Sequence, residues 1–286
     1  MKPTSLKYFL GCIAFIFSSI LFAQDIDVIK YTASNKGKFF VSWGGNRESF
    51  SKSDINFKGD NYNFTIKNAI AKDKPKGWHV DYINPSRLTI PQTNAKIGYF
   101  ISEKYSVALG LDHMKYVMQN NINRVVNGVI NLPETDSGSL HNGIYNNKNT
   151  FLTGNFAKFE HTDGLNYIHA EFSRHDDISN LFNLKNIDKF QITISEGIAA
   201  GILLPRTNST LLDKERYDQF HLSGYGASIR AGLNFTFYKH FFVQLDLKGG
   251  YINMNNIRTT TNTSDSASQH FTFLQRIVAF GGIFRL

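Results

Sequence analysis

Three stretches of the chain place a histidine beside groups that do chemistry. In Phe220-His-Leu-Ser-Gly-Tyr-Gly, His221 and Ser223 stand two residues apart, which on an extended strand puts an imidazole and a hydroxyl on one face. In Glu160-His-Thr-Asp-Gly-Leu-Asn, a base, a hydroxyl and a carboxylate occupy His161, Thr162 and Asp163. On a strand His161 and Asp163 share a face, which suits proton transfer or metal ligation. The same Asp163-Gly164 pair is also a tight-turn dipeptide, and a turn or loop-anchoring role is the plainer reading. Finally, His169, Glu171 and Ser173 alternate onto one face ahead of Arg174, His175, Asp176 and Asp177. Such groups ligate divalent metals, but this spacing matches no known site and reads as a hydrogen-bonded network. The sequence leads us to expect no metal and no cofactor.

These side chains must be positioned by strands. No long segment carries a 3.6-residue apolar stripe, whereas period two recurs. Ala95, Ile97, Tyr99 and Ile101 alternate with Asn94, Lys96, Gly98 and Phe100. Tyr225, Ala227, Ile229, Ala231, Leu233 and Phe235 alternate with Gly226, Ser228, Arg230, Gly232 and Asn234. Each such segment has one apolar face and one face of Gly, Ser, Asn, Lys and Arg. A soluble sandwich turns the apolar face inward; a membrane barrel turns it outward to lipid. Long strands, glycine on the polar face and aromatics near strand ends (Tyr105, Phe237, Phe241, Tyr251) favour the barrel. On that reading Lys96, Asp112, Arg230, Asp246 and Lys248 face the lumen, and their mixed signs allow ion pairs that plug a narrow interior. Glu196 falls on the lipid face, a costly place for a lone carboxylate.

Composition sets the outer bounds. The chain has 286 residues, 42% of them apolar, with 25 Phe, 13 Tyr, 22 Gly, 6 Pro and one Cys. Collagen-like, disulfide-scaffold, zinc-ribbon and charge-rich disordered chains are excluded. Lys2 and Lys7 precede the apolar run Tyr8 to Phe22, and Ala23 precedes the polar Gln24-Asp25, the pattern of a signal peptide over residues 1–23. Removing it takes away Cys12 and leaves a net charge of +6 on residues 24–286, which form the barrel domain. That charge suits anionic headgroups of lipopolysaccharide. No nucleic-acid partner is expected, since no basic helix or aromatic stacking platform appears.

Loop lengths give the topology. Ser102-Glu103-Lys104 and Tyr238-Lys239-His240 are short turns, while 47–60, 119–150, 205–217 and 255–268 are long and polar. Outer-membrane barrels have short periplasmic turns and long outer loops. Strands at 38–47, 93–101, 105–118, 164–175, 188–204, 218–237, 241–254 and 270–285 make an all-β, closed antiparallel transmembrane barrel of eight strands, with both ends periplasmic and large outer loops at 47–92 and 119–163. The patch 152–162 belongs to an outer loop or to the upper end of its neighbour. The segment 61–72 also reads as a strand, either a hairpin in the first outer loop or part of a ten-strand variant.

Val278, Phe280, Gly282, Phe284 and Leu286 share one face of the final strand, which resembles the terminal signal recognised by the barrel-assembly machinery. Taken whole, residues 24–286 resemble the small outer-membrane β-barrel proteins of Gram-negative bacteria, and their Asn, Lys and Phe content resembles Bacteroidetes-type members. That resemblance implies outer-membrane localisation, contact with outer-membrane lipids, and a structural or surface-interaction role with a possible extracellular ligand at the loops. No catalysis follows from it.

The His221-x-Ser223 pair is similar to the one that lipid A deacylases and outer-membrane phospholipases carry on the outside of a barrel. The likeness implies a lipid acyl-ester hydrolase, with His221 taking the Ser223 proton and Glu196 as the orienting acid. Two points stand against it: Gly224 follows Ser223, where the deacylases continue Ser-Asn-Gly after the His, and Glu196 sits several residues too deep. The pair then reads as rim residues at the lipid headgroups. A small porin-like passive channel is the other alternative.

Overall fold

The computed structural model describes residues 34–77, 79–82 and 91–286. The expected signal peptide, 1–23, lies outside the described residues. Fourteen strands follow in chain order: β1 (Phe39–Phe50), β2 (Ser53–Gly59), β3 (Tyr62–Ala69), β4 (Ala71–Lys72), β5 (Thr93–Phe100), β6 (Tyr105–Met118), β7 (Ile122–Ile130), β8 (Gly143–Leu152), β9 (Ala157–Asp177), β10 (Phe190–Leu203), β11 (Asn208–Leu211), β12 (Gly224–Phe237), β13 (Phe241–Arg258) and β14 (Ser266–Phe284). All pairings are antiparallel. The only helical elements among the described residues are short 3₁₀ turns, and no helix there is long and apolar enough to cross a membrane.

Eight of these strands pair in a ring, in the order β1, β5, β6, β9, β10, β12, β13, β14 and back to β1. They are the eight segments that the alternation picks out. Phe39 pairs with Phe284 at the lower end of the ring, and Phe50 with Phe273 higher up. Two of the lower connections, 101–104 and 238–240, are short, whereas 178–189 between β9 and β10 is longer and carries the 3₁₀ turn Ser179–Phe182; Tyr238 and Lys239 turn the β12–β13 hairpin with φ of 51° and 67°, a left-handed pair whose twist suits a hairpin.

Alternation of exposure follows from the sequence. Along β6 the odd residues from Tyr105 to Leu111 are exposed and the even ones buried. Leu109, Ile198 and Val278 are 64%, 63% and 60% exposed, so the apolar face points outward. The inward face is polar and small. A Cβ on Gly110 would run into the His169 imidazole across the β6–β9 pair, so only glycine leaves that ring its place. Phe40, Phe100, Ala108 and Phe242 close the lower interior.

Above the ring the inward face changes character. Going up β9 it passes from Ser173, Glu171 and His169 to Tyr167, Leu165 and Phe159. There β6, β9, β13 and β14 run on past the ring, and β14 hands over to β2, then β3, β7 and β8. Ile55, Phe57, Phe64 and Ile66 of this added sheet pack on Met114, Tyr116, Phe159, Met254 and Phe271 as a continuous apolar core. Among the described residues, the expected outer loops 47–92 and 119–163 therefore carry β2, β3, β4, β7 and β8. The 61–72 strand is realised as β3, in a hairpin with β2 outside the ring, and 157–162 is the upper end of β9. Asp163-Gly164, expected as a turn, lies inside β9, where Gly164 takes a φ of +137° beside a register shift against β6.

Candidate functional site

The histidine motifs part company in three dimensions. His221 and Ser223 lie just before β12, in the upper connection from β10. The Ser223 hydroxyl is buried and donates to the main-chain carbonyl of His221 at 3.1 Å, not to its imidazole. His221 stands edge-on to Tyr217, whose ring also carries Arg258 at 4.7 Å. Desolvation, with a smaller contribution from Arg258, holds its imidazole below the usual histidine range. Its Nε2 is buried without a partner.

Glu196 is not brought to this pair. Gly224 pairs with Leu203 of β10, and Glu196 lies seven residues lower, opposite Arg174 of β9 and Ala231 of β12. At ~3.3 Å per residue the separation is roughly 23 Å. The expected His–Ser–Glu arrangement is thus not assembled: the strand register sets the carboxylate half-way down β10, and local backbone bonding takes the hydroxyl.

His161 and Glu160 also diverge, as neighbours on a strand must. His161 is fully buried in the upper core against Tyr116 and Phe159, with Nδ1 at 3.1 Å from Thr207 Oγ1. Desolvation lowers its pKa to about 3, so it is a neutral core imidazole. Glu160 accepts from Asn208 Nδ2 at 3.0 Å and pairs with Lys158 at 3.2 Å, while Asp163 is exposed. No catalytic grouping results. Among the described residues, no three His, Cys, Asp or Glu side chains gather as a metal site.

Of the third group, His169, Glu171, Ser173 and His175 turn inside the ring, whereas Arg174 and Asp176, partly exposed, pair with each other at 2.7 Å. Glu171 pairs with Lys96 at 2.7 Å and with Arg230 at 3.1 Å, and Arg230 pairs with Asp246 at 3.0 Å. Ser173 and Ser195 bind the remaining Arg230 donors at 3.0 and 2.8 Å. Higher up, Lys248 pairs with Asp112 at 2.6 Å and meets His169 Nε2 at 3.2 Å. Three cations face three carboxylates, so the charges cancel where burial makes an unpaired one most costly. At the lower end Ser106 Oγ lies 2.9 Å from His175 Nε2, and Phe100 packs on the same imidazole.

A further polar ladder was not anticipated from the sequence. Asn94 donates to Asp112 at 2.6 Å, Asn46 donates to Asn94 at 2.6 Å, and Gln275 donates to Glu48 at 3.0 Å. Gln92 Nε2 then bridges Glu48 Oε2 and Asp73 Oδ1. Uncharged amides far apart in sequence give no spacing signal; only the inward parity of Asn46, Glu48, Asn94 and Gln275 could have marked them.

No protein-family model matches the chain, and no curated protein matches it in sequence. Solved structures of similar shape include the outer membrane protein OprG from Pseudomonas aeruginosa, at 10% identity and a TM-score of 0.39, covering 89% of this chain and 99% of that one. The outer membrane protein AlkL in lipid bilayers shares 11% identity at a TM-score of 0.41, with 92% and 97% covered. The outer membrane protease OmpT from Escherichia coli shares 10% identity at a TM-score of 0.33, with 91% and 99% covered. At these values the likeness assigns no residue a role.

Proposed function

We propose that the protein is an integral outer-membrane β-barrel whose ring crosses the bilayer and whose upper sheet stands outside the cell as a surface-interaction head. The observation that carries this reading is the outward apolar belt. Val41, Ile97, Leu109, Phe172, Ile198, Ile229, Leu247 and Val278 are all exposed on it, around the whole ring. A water-facing surface rarely shows a contiguous apolar patch above a few hundred Å², whereas lipid requires one. Tyr105, Phe237 and Phe241 toward the lower rim, and Tyr225 and Tyr251 toward the upper, suit the two interfaces. The barrel's partners are then outer-membrane lipids and lipopolysaccharide, and its last strand is the segment offered to the barrel-assembly machinery. The interlocked ion pairs support a sealed interior over a passive channel. The acyl-hydrolase alternative requires the Ser223 hydroxyl to face an imidazole, and here it faces a carbonyl.

The test is the outer-membrane fraction run on a detergent gel, unheated and boiled, with two cysteine variants. A shifting band, labelling of Asn146→Cys by an impermeant maleimide in intact cells, and labelling of Lys104→Cys only after the membrane is opened are expected. Release by osmotic shock with no band shift refutes the membrane reading.

A further inference from the structure

Glu48 and Asp73 approach each other at the upper mouth of the ring, where the polar interior gives way to the apolar core. Glu48 is buried; Asp73, just after β4, is half-buried. Their carboxylates are bridged by one amide nitrogen, Gln92 Nε2, and the Glu48 main-chain N–H donates to Asp73 Oδ2 at 3.0 Å. Two carboxylates this close repel, and among the described residues the charged groups acting on Glu48 are Asp73 and Asp112, both anionic. The cations of the lumen are committed lower down: Lys248 to Asp112, Lys96 and Arg230 to Glu171.

A second observation points to what is missing. Gln92 is 0% exposed and Asn46 1%, and the side-chain oxygens of both are buried with no hydrogen-bond partner. The Gln92 amide already sits between the two carboxylates. A half turn about its last side-chain bond exchanges Nε2 for Oε1, turning a donor into a third oxygen ligand. Asn46 is next to it, its main-chain N–H reaching the Gln92 carbonyl at 3.4 Å. A buried amide oxygen without a donor is uncommon in folded proteins; here two lie beside a carboxylate pair on which Lys115 acts only through Asp73, which leaves Glu48 a place for a cation.

We propose that Glu48, Asp73 and Gln92, with Asn46 beside them, form a binding site for a calcium ion. The donors are all oxygen, carboxylate and amide, which is the ligand set of a hard cation and not of zinc or copper. Side chains from β1, the segment after β4 and the residue before β5 give the adaptable geometry that calcium accepts, whereas magnesium demands a near-ideal octahedron and keeps several waters. The ion ties the segment after β4 to β1 and to the residue just before β5. The site stands on this geometry whether or not the ring lies in a bilayer.

The test is isothermal titration of the full chain, folded in detergent micelles and stripped with EDTA, with calcium chloride. Wild type is expected to bind one calcium per chain with a Kd of roughly 10⁻⁴–10⁻³ M, the range of extracellular modules. Glu48→Gln and Asp73→Asn each weaken binding more than tenfold, and Gln92→Glu, which adds a third carboxylate, tightens it. Each variant is first shown to keep the heat-dependent gel shift, which separates loss of the site from loss of the fold. No binding by wild type, or binding that Glu48→Gln and Asp73→Asn leave unchanged, overturns the proposal. A Glu48→Gln chain that gains stability with no calcium dependence in wild type also overturns it, because the pair then holds a proton.

Discussion

Replacing Arg230 by methionine removes the centre of the lumen network and leaves the backbone ladder intact. The guanidinium donates to Glu171 at 3.1 Å, to Ser195 at 2.8 Å, to Asp246 at 3.0 Å and to Ser173 at 3.0 Å. Its loss does not strand every acceptor. Glu171 keeps Lys96 at 2.7 Å, and Asp246 keeps the Gln244 amide at 2.6 Å. Breaking a buried ion pair by removing one partner costs about 3–5 kcal/mol, and the surviving partners place this variant near the lower end, about 3 kcal/mol. Urea unfolding in micelles, followed by the temperature of the gel shift, measures it. Arg230→Met with Asp246→Leu then recovers part of the loss, because a buried pair replaced by apolar groups is often neutral. In planar bilayers wild type is expected to show no discrete conductance, and Arg230→Ala, which leaves a polar void, to open a small one. An Arg230→Met chain within about 0.5 kcal/mol of wild type, together with an equal conductance for both proteins, refutes the idea that these pairs fill and seal the interior.

Other outcomes follow from the upper half of the molecule. His161 titrates at about 3 when folded and at about 6.5 when unfolded, so the unfolded chain takes up the proton first as pH falls. The stability this gives is full above the unfolded value and declines below it, by about 2 kcal/mol at pH 5; His161→Phe flattens that part of a pH-dependent unfolding series. Phe57, fully buried against Phe64 and Phe159, costs about 3–5 kcal/mol as alanine, and limited proteolysis should then cut the outer sheet while the ring keeps its gel shift. Mass spectra of lipid A are expected to be identical in cells overexpressing wild type and Ser223→Ala; a lost acyl chain in the wild type alone would revive the hydrolase reading.

The ring was legible in the sequence because each of its strands alternates over most of its length, with no interruption in stretches such as Tyr105 to Asp112 and Gly224 to Phe237. The outer sheet was not. In β7, Val125 and Val126 are adjacent, and the register shifts between Val126 and Gly128, so its period is broken within nine residues. In β8 Asn147 takes a left-handed φ of 48° amid Asn and Lys, and the segment reads as a polar loop. The candidate site was legible only in part. His169, Glu171 and Ser173 lie on one strand, so parity alone placed them together. Glu48 of β1, Asp73 just after β4 and Gln92 just before β5 converge, and nothing local in the chain records that.

One strand links the two halves of the molecule. β14 holds β13 along one edge; along the other it holds β1 below and β2 above. Most ring neighbours are also neighbours in sequence, but the seam joins Phe39 to Phe284. Loop-closure entropy makes such a distant contact slow to form. Until β14 docks, β1 and β13 are open edges that can template aggregation, and β2 lacks its hydrogen-bonded neighbour in the ring. Closure of the seam and the β2 pairing that continues the sheet both need β14 in place, so a chaperone that shields β1 until then would protect both.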